Sequence, residues 1–320
     1  MIRRHFLKAS AAIAFATATD CRAWAAPVSR IVDGFPPGGM VDVSARVIAE
    51  ALSAELGTTY IVENKPGAGG RVGVGVVQHA VADGRTMLMT PSAMIVLYPH
   101  IYTELDYDAF TLAPVSTVTN IYKVLAVSYD NPAKTLDEFI ALAKKKPNGV
   151  AIGVPGAGSG PHFVGLMLAK QSGAKMVFAP YLGDPPVWQN VMAGIVDAGV
   201  ATLVTSAPLH RARQLRVLAI TAPERSPQVP DAPTFKELGF DIRANEWLGL
   251  LAPPKTEAAV IAKSNQAVRQ ALGTPRLRET FQKIGIEPTG CSAEEFASII
   301  KNDFEEWRQV VKENNFKIDN

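Results

Sequence analysis

Arg30-Ile-Val-Asp-Gly-Phe-Pro-Pro-Gly-Gly-Met-Val-Asp42 carries a short apolar strand into a Pro-Pro-Gly-Gly turn and directly onto a helix. The turn stands at the C-terminal end of the strand, the side on which open α/β sheets bind ligands. It brings free backbone N–H groups and the positive end of a helix dipole to one point, which suits a carboxylate or another anion. The stretch offers no nucleophile, general base or metal ligand. It points to capture of a small anion, not to chemistry on it.

Outward from this stretch, short β-branched runs alternate with helical patterns, the signature of a mainly parallel α/β sheet. The strands expected are Arg30–Asp33, Tyr60–Glu63, Thr86–Thr90, Val124–Val127, Val150–Val154, Met176–Ala179, Ala198–Ala201, Leu215–Thr221 and Trp247–Ala252. Capping boxes at Thr135–Glu138, Thr234–Glu237 and Ser292–Glu295 predict helix starts. Asp184 and Thr274 stand as caps ahead of prolines, and Gly57, Gly194 and Gly273 mark helix ends. The first helix spans about Val41 to Leu56, with Val43, Val47, Ala51 and Ala54 as its buried stripe, flanked by Ile48 and Leu52. Asp42 reads as an organiser of the preceding loop, because a fixed negative charge would repel a bound anion.

The 320 residues are 48% hydrophobic, enough for roughly two compact domains. The N-terminus has the form of an export signal: Arg3-Arg4-His5-Phe6-Leu7-Lys8, a small apolar run from Ala9 to Ala18, and Ala23-Trp24-Ala25 as a cleavage site. The paired arginines resemble a twin-arginine signal, with a Sec signal as the alternative. Four of the 32 Lys and Arg and one of the 30 Asp and Glu lie in the first 25 positions, leaving 28 against 29 and a net of −1. Without a basic stripe, nucleic acid is not a partner to expect. Cys21 leaves with the signal, so Cys291 remains without an internal disulfide partner. No later run reaches the ~20 apolar residues of a membrane span. The expected product is exported and periplasmic. Breaks near Asn120–Lys123 and Ala244–Trp247 divide it into a signal (1–25), a first domain from 26–122 and 247–320, and an inserted second domain from 123–246. Hinge-linked lobes of this kind close over small ligands.

Two further glycine-rich segments follow strands. In Glu63-Asn-Lys-Pro-Gly-Ala-Gly-Gly70, glycines permit positive φ and close backbone approach; a plain surface loop is the alternative. Gly153-Val-Pro-Gly-Ala-Gly-Ser-Gly-Pro-His162 fails two enzyme patterns by one residue each. Pro161 replaces the third glycine of a dinucleotide fingerprint, and Ala157 replaces the first glycine of a nucleophile elbow. A helix start with Ser159 and backbone donors survives, suited to a second anionic or polar group. His162 either donates to a ligand or shapes the pocket. His79, His100 and His210 have no metal-type spacing, so neither a metal nor a cofactor is implied. Trp188, Trp247 and Trp307 are expected in the core.

The chain resembles the Bug family, the periplasmic solute receptors of tripartite tricarboxylate transporters, over essentially its whole mature length. The landmarks are Phe35-Pro-Pro-Gly-Gly-Met-Val-Asp42, Val62-Glu-Asn-Lys-Pro-Gly-Ala-Gly-Gly70, Asp83-Gly84, Gly156-x-Gly-Ser159 with His162, Pro180-Tyr181-x-Gly183, Gly194-x-Val-Asp197, Pro230-Asp-Ala-Pro-Thr234, Trp247-x-Gly-Leu250 and Trp307. The resemblance implies a two-domain α/β architecture of the type II periplasmic-binding-protein class with its ligand in the interdomain cleft. It implies a small carboxylate ligand: a dicarboxylate, an amino acid or an aromatic acid. It places one ligand carboxylate on Phe35, Pro37, Gly38 and Gly39 and on Gly67, Ala68, Gly69 and Gly70, with Ser92 contributing. The other end of the ligand would meet Gly158, Ser159 and His162, with Thr205. The implied partners are the membrane permease subunits of such a transporter, with a monomer as the default state.

Three departures stand out. Asp33-Gly34 replaces a frequent Val-Pro, Val154-Pro155 lacks a common Ser, and Leu182 replaces a usual Lys. The last two favour a monocarboxylate or aromatic acid over a citrate-like ligand. Two other readings stay open: a hydrolase or transferase built on Ser159 and His162, and a receptor that signals to a membrane sensor kinase without transport.

Overall fold

The computed structural model describes residues 28–318 apart from 243, 245, 284 and 285; the export signal read in residues 1–25 lies outside the described residues. The described strands form two five-stranded sheets. The first is built from β1 (Ser29–Asp33), β2 (Tyr60–Asn64), β3 (Thr86–Pro91), β4 (Ala113–Asn120) and β10 (Trp247–Ala252), in the order β2-β1-β3-β10-β4. The second takes β5 (Lys123–Ser128), β6 (Val150–Val154), β7 (Met176–Pro180), β8 (Ala198–Thr202) and β9 (Leu215–Ile220), in the order β7-β6-β8-β5-β9. β1, β2 and β3 run parallel, while β10 is antiparallel to β3 and β4. In the second sheet β6, β7 and β8 run parallel, and β5 is antiparallel to β8 and β9.

Parallel strands need crossovers, and helices supply them. Along the chain these are α1 (Met40–Leu56), α2 (Arg71–Gln78), α3 (Tyr98–Ile101), α4 (Leu136–Lys145), α5 (Gly160–Ser172), α6 (Asp184–Met192), α7 (Leu203–Arg211), α8 (Ala258–Gly273), α9 (Pro275–Lys283) and α10 (Ala293–Asn314). The boxes at Thr135 and Ser292 cap α4 and α10 with both reciprocal bonds. Thr234 and Glu237 also bond reciprocally, but a single turn follows and no helix. β3 is buried along its whole length, as a central parallel strand covered on both faces must be.

Four local expectations change. The strand β4, Ala113–Asn120, was absent from the expected strands; Pro114 demotes the run, and Ser116 and Asn120 read as turn residues. Its position at the sheet edge leaves one side free of ladder bonds, which is where a proline is tolerated. The buried stripe of α1 is Val41, Ala45, Ile48 and Leu52, not Val43, Val47, Ala51 and Ala54. That face turns the longer side chains, Ile48 and Leu52, into the core below the sheet. Asp184 does not cap its own helix: Gly183, at φ +94, is the N-cap of α6, and the Asp184 side chain reaches Thr202 and Thr205. Val154 is fully buried and Leu182 fully exposed, so the two substitutions read as making the pocket apolar sit elsewhere.

The chain passes between the sheets twice, from β4 to β5 and from β9 to β10, and the two passages are tied together. Ile121 N–H donates to Glu246 O at 2.7 Å. Lys123, with no exposed surface, pairs with Glu246 at 2.6 Å and donates to Ala244 O at 3.0 Å. Burial pushes the Lys123 ammonium down from its ordinary value while Glu246 resists. An ammonium removed from water is costly, and the adjacent Glu246 carboxylate offsets part of that cost.

Candidate functional site

The C-terminal edges of the parallel strands carry the glycine-rich turns. Between β1 and α1, the helix begins at Gly39 in extended geometry, and no side chain caps it. The first N–H groups of a helix have no internal acceptor. Two of the loop's other donors are already used. Phe35 N–H donates to Asp33 Oδ1 at 2.9 Å, and Gly38 N–H to Asp42 Oδ2 at 2.9 Å. Asn64 Nδ2 lies within bonding distance of Asp33 Oδ2 (3.1 Å), Phe35 O (3.1 Å) and Asp42 Oδ1 (3.0 Å). Arg46 grips both Asp42 oxygens, at 3.0 and 2.9 Å. Asp42 is thus the loop organiser that its position in the first turn suggests.

The two carboxyls beneath the loop diverge. Burial works to raise Asp42, but Arg46, the Gly38 N–H and Asn64 outweigh it and hold the group below its ordinary range. Asp33 has no exposed surface, and its side chain bonds Phe35 N–H and Asn64 rather than a cation among the described residues. Burial pushes it up to about 7; the Phe35 N–H opposes, and the Asp42 charge adds to the rise.

A cleft of about 590 Å³ opens above this helix start. One wall is Phe35 to Val41 with Val43; the other is Gly183, Asp184 and Pro185 with Thr202, Val204 and Thr205, and Ile286 adds to the lining. Both sheets therefore contribute, through the β1–α1 turn on one side and the β7–α6 and β8–α7 turns on the other. Of the residues expected at the site, Phe35, Pro37, Gly38, Gly39 and Thr205 meet here. Thr205 Oγ1 accepts from Trp188 Nε1 at 2.9 Å and donates to Asp184 Oδ2 at 2.8 Å. Gly183 and Asp184 were not expected at the site. The signal was present, because Gly183-Asp184-Pro185 is a fourth strand-to-helix turn, but its aspartate read as an ordinary cap.

The other expected residues lie outside this lining. Ala68–Gly70 form a tight turn behind Phe35: a Cβ on Gly70 would meet Phe35 Cζ at 2.9 Å, and one on Gly34 would meet Gly70 O at 2.5 Å. The Gly67–Gly70 loop therefore braces the first loop from the rear. Ser92 follows β3 with 1% exposure, and its Oγ has no partner among the described residues.

Gly158, Ser159 and His162 stand at the start of α5 under the C-terminal segment. Ser159 caps the helix, accepting from His162 N–H at 3.3 Å and donating to Gly156 O at 2.8 Å. A Cβ on Gly158, at φ +71, would meet Ile318 Cδ1 at 2.7 Å and Ile101 Cδ1 at 2.9 Å. His162 Nδ1 accepts from Gly158 N–H at 3.1 Å, which places the ring proton on Nε2. The ring lies 4.8 Å from Phe178 and 5.1 Å, edge to face, from Phe316. Burial pushes the imidazole down to about 4. The Ser159 hydroxyl and the His162 ring have separate partners, so the nucleophile–base bond of a hydrolase is not made.

The family described as tripartite tricarboxylate transporter family receptor matches residues 44–316. The chain belongs to this family. Protein BugT of Bordetella pertussis is 32% identical over 300 residues, covering 92% of this chain and 91% of BugT. A solved structure of a periplasmic transporter is 32% identical with a TM-score of 0.82, covering 92% of this chain and 99% of that one. An R. palustris protein solved with adipate is 26% identical with a TM-score of 0.83, again covering 92% and 99%. These neighbours share the two-sheet architecture of periplasmic binding proteins. Family members and neighbours are solute receptors, and the cleft of this family member lies where its two sheets face each other.

Proposed function

We propose that this receptor captures a small carboxylate in the cleft between its two lobes and delivers it, outside the cytoplasm, to a membrane transporter of the tripartite tricarboxylate type. The observation that carries the reading is the uncapped start of α1, at Gly39, on one wall of a cleft whose other wall belongs to the second sheet. Neutral, fixed backbone donors bind an anion without a permanent counter-charge, so the solute can be released again. The R. palustris neighbour holding adipate supports a carboxylate ligand. Residues 26–122 with 247–320 form one lobe and 123–246 the other, and closure bends the chain at the two tied passages near Lys123 and Glu246. The Phe35–Gly39 turn contributes affinity for the carboxylate common to all candidate ligands. The opposite wall selects among them.

Isothermal titration of the purified protein against a panel of mono-, di- and tricarboxylates and amino acids, after a thermal-shift screen, tests this. Saturable binding of at least one acid is the expected result. Failure of every acid to bind, together with turnover of any substrate, would sink the reading.

A further inference from the structure

We infer that Asp184 sets the charge selectivity of the cleft, so that the ligand is a zwitterion: one carboxylate for the α1 start and an ammonium group for Asp184. This rests on the receptor reading above and narrows it to a ligand class.

Among the described residues that line the cleft, Asp184 carries the only ionisable side chain. Its position is fixed from one side. Oδ2 accepts from Thr202 N–H at 3.1 Å, from the Thr202 hydroxyl, and from the Thr205 hydroxyl at 2.8 Å. The other oxygen, Oδ1, is engaged by none of these three donors. Thr202 is the N-cap of α7 and makes no side-chain cap of its own. The Asp184 carboxylate therefore occupies the anion position at that helix start, the position that a second ligand carboxylate would need.

The surroundings strengthen the discrimination. Val43, Val204 and Pro185 give the cleft apolar walls around the charge, and a like charge brought into such surroundings is repelled more strongly than in water. The nearest cation along α1, Arg46, is held by Asp42 and does not neutralise Asp184. The two walls thus have opposite preferences: donors at the α1 start, a fixed carboxylate at the α7 start. A dicarboxylate can satisfy only the first. An ω-amino acid satisfies both, and rejection of the dianion is built in rather than incidental.

The test is titration calorimetry on the full receptor with matched ligands at two chain lengths: butyrate, succinate and γ-aminobutyrate, then hexanoate, adipate and ε-aminocaproate. At the better-fitting length the ω-amino acid should bind at least about tenfold tighter than the dicarboxylate, and Asp184→Asn should shrink that ratio by at least about tenfold. Asp184→Ser keeps a short acceptor for Thr202 N–H without the charge and should give the same loss of preference. Thermal melting of both variants reports whether they remain folded. A wild-type preference for the dicarboxylate at both lengths, or an unchanged ratio in both variants, overturns the inference while leaving the receptor reading intact. Absence of binding by every acid of the wider panel overturns both.

Discussion

The starts of α1 and α5 have the same local grammar and opposite fates. Each follows a parallel strand, each runs through prolines and glycines, and each exposes backbone donors at the positive end of a helix. At α1 the cap position is a glycine, and the surface above it is a cleft shared with the other sheet. At α5 Ser159 supplies the cap, and Ile101, Phe316 and Ile318 close over Gly158. A helix start becomes a binding surface only when nothing in its own chain has already satisfied it. The two starts also rest on different buried groups: a carboxyl with a raised pKa at Asp33, an imidazole with a lowered one at His162.

The largest expected effect breaks the seal. Phe316→Ala removes the ring that packs against both His162 and Phe163 and should cost about 2–3 kcal/mol in urea unfolding. Water would then reach the imidazole, so its NMR titration should move up from about 4 toward the ordinary histidine value of ~6.5. An unchanged titration would show that the C-terminal segment does not seal this helix start.

A second test separates the two buried groups by sign. With Asp33 raised, the folded state holds its proton where the unfolded chain has lost it, so this group removes stability as pH rises from about 4 to about 7. With His162 lowered, the unfolded chain binds a proton that the folded state refuses, so this group removes stability as pH falls from about 6.5 to about 4. The two slopes oppose each other over nearly the same range and largely cancel in the native protein. Asp33→Asn, which keeps an acceptor for Phe35 N–H, should gain on the order of 2–3 kcal/mol at pH 8 relative to pH 4. His162→Gln should gain a comparable amount at pH 4 relative to pH 8. Stability profiles from denaturant melts across that range would show opposite slopes in the two variants; parallel slopes would refute the assignment.

The smallest effects on stability sharpen the comparison most. Ser159→Ala removes the α5 cap and should cost about 1 kcal/mol without changing ligand affinity. Gly39 sits at φ −77 with only ordinary contacts around its Cβ position, so Gly39→Asp places a cap where α1 has none. It should stabilise the fold by only about 0.3 kcal/mol while weakening carboxylate binding at least about 100-fold, since the new side chain takes the ligand's place. Ligand affinity that falls in Ser159→Ala and survives in Gly39→Asp would reverse the roles assigned to the two starts.

Much of the architecture was legible because it depends on short-range physics. The alternation of apolar runs with capped helices marked nine of the ten described strands, and Asp42 could be read as a loop tie from its place in the first helical turn. β4 was hidden because its proline is acceptable only at a sheet edge, and edge position is a property of the sheet. The α1 stripe was misplaced because two apolar faces, offset by two to three residues, are equally regular in sequence.

The sequence by itself determined the alternating α/β order, the glycine-rich turns at strand ends and the chemistry each turn can offer, since these follow from neighbours along the chain. Tertiary structure alone decided which turn is open. The Gly67–Gly70 loop braces Phe35, the Gly158–His162 start is sealed by residues from the far C-terminus, and Asp184 faces the α1 start across the cleft. Each outcome depends on residues more than thirty positions apart being brought to one place, and no local pattern records that meeting.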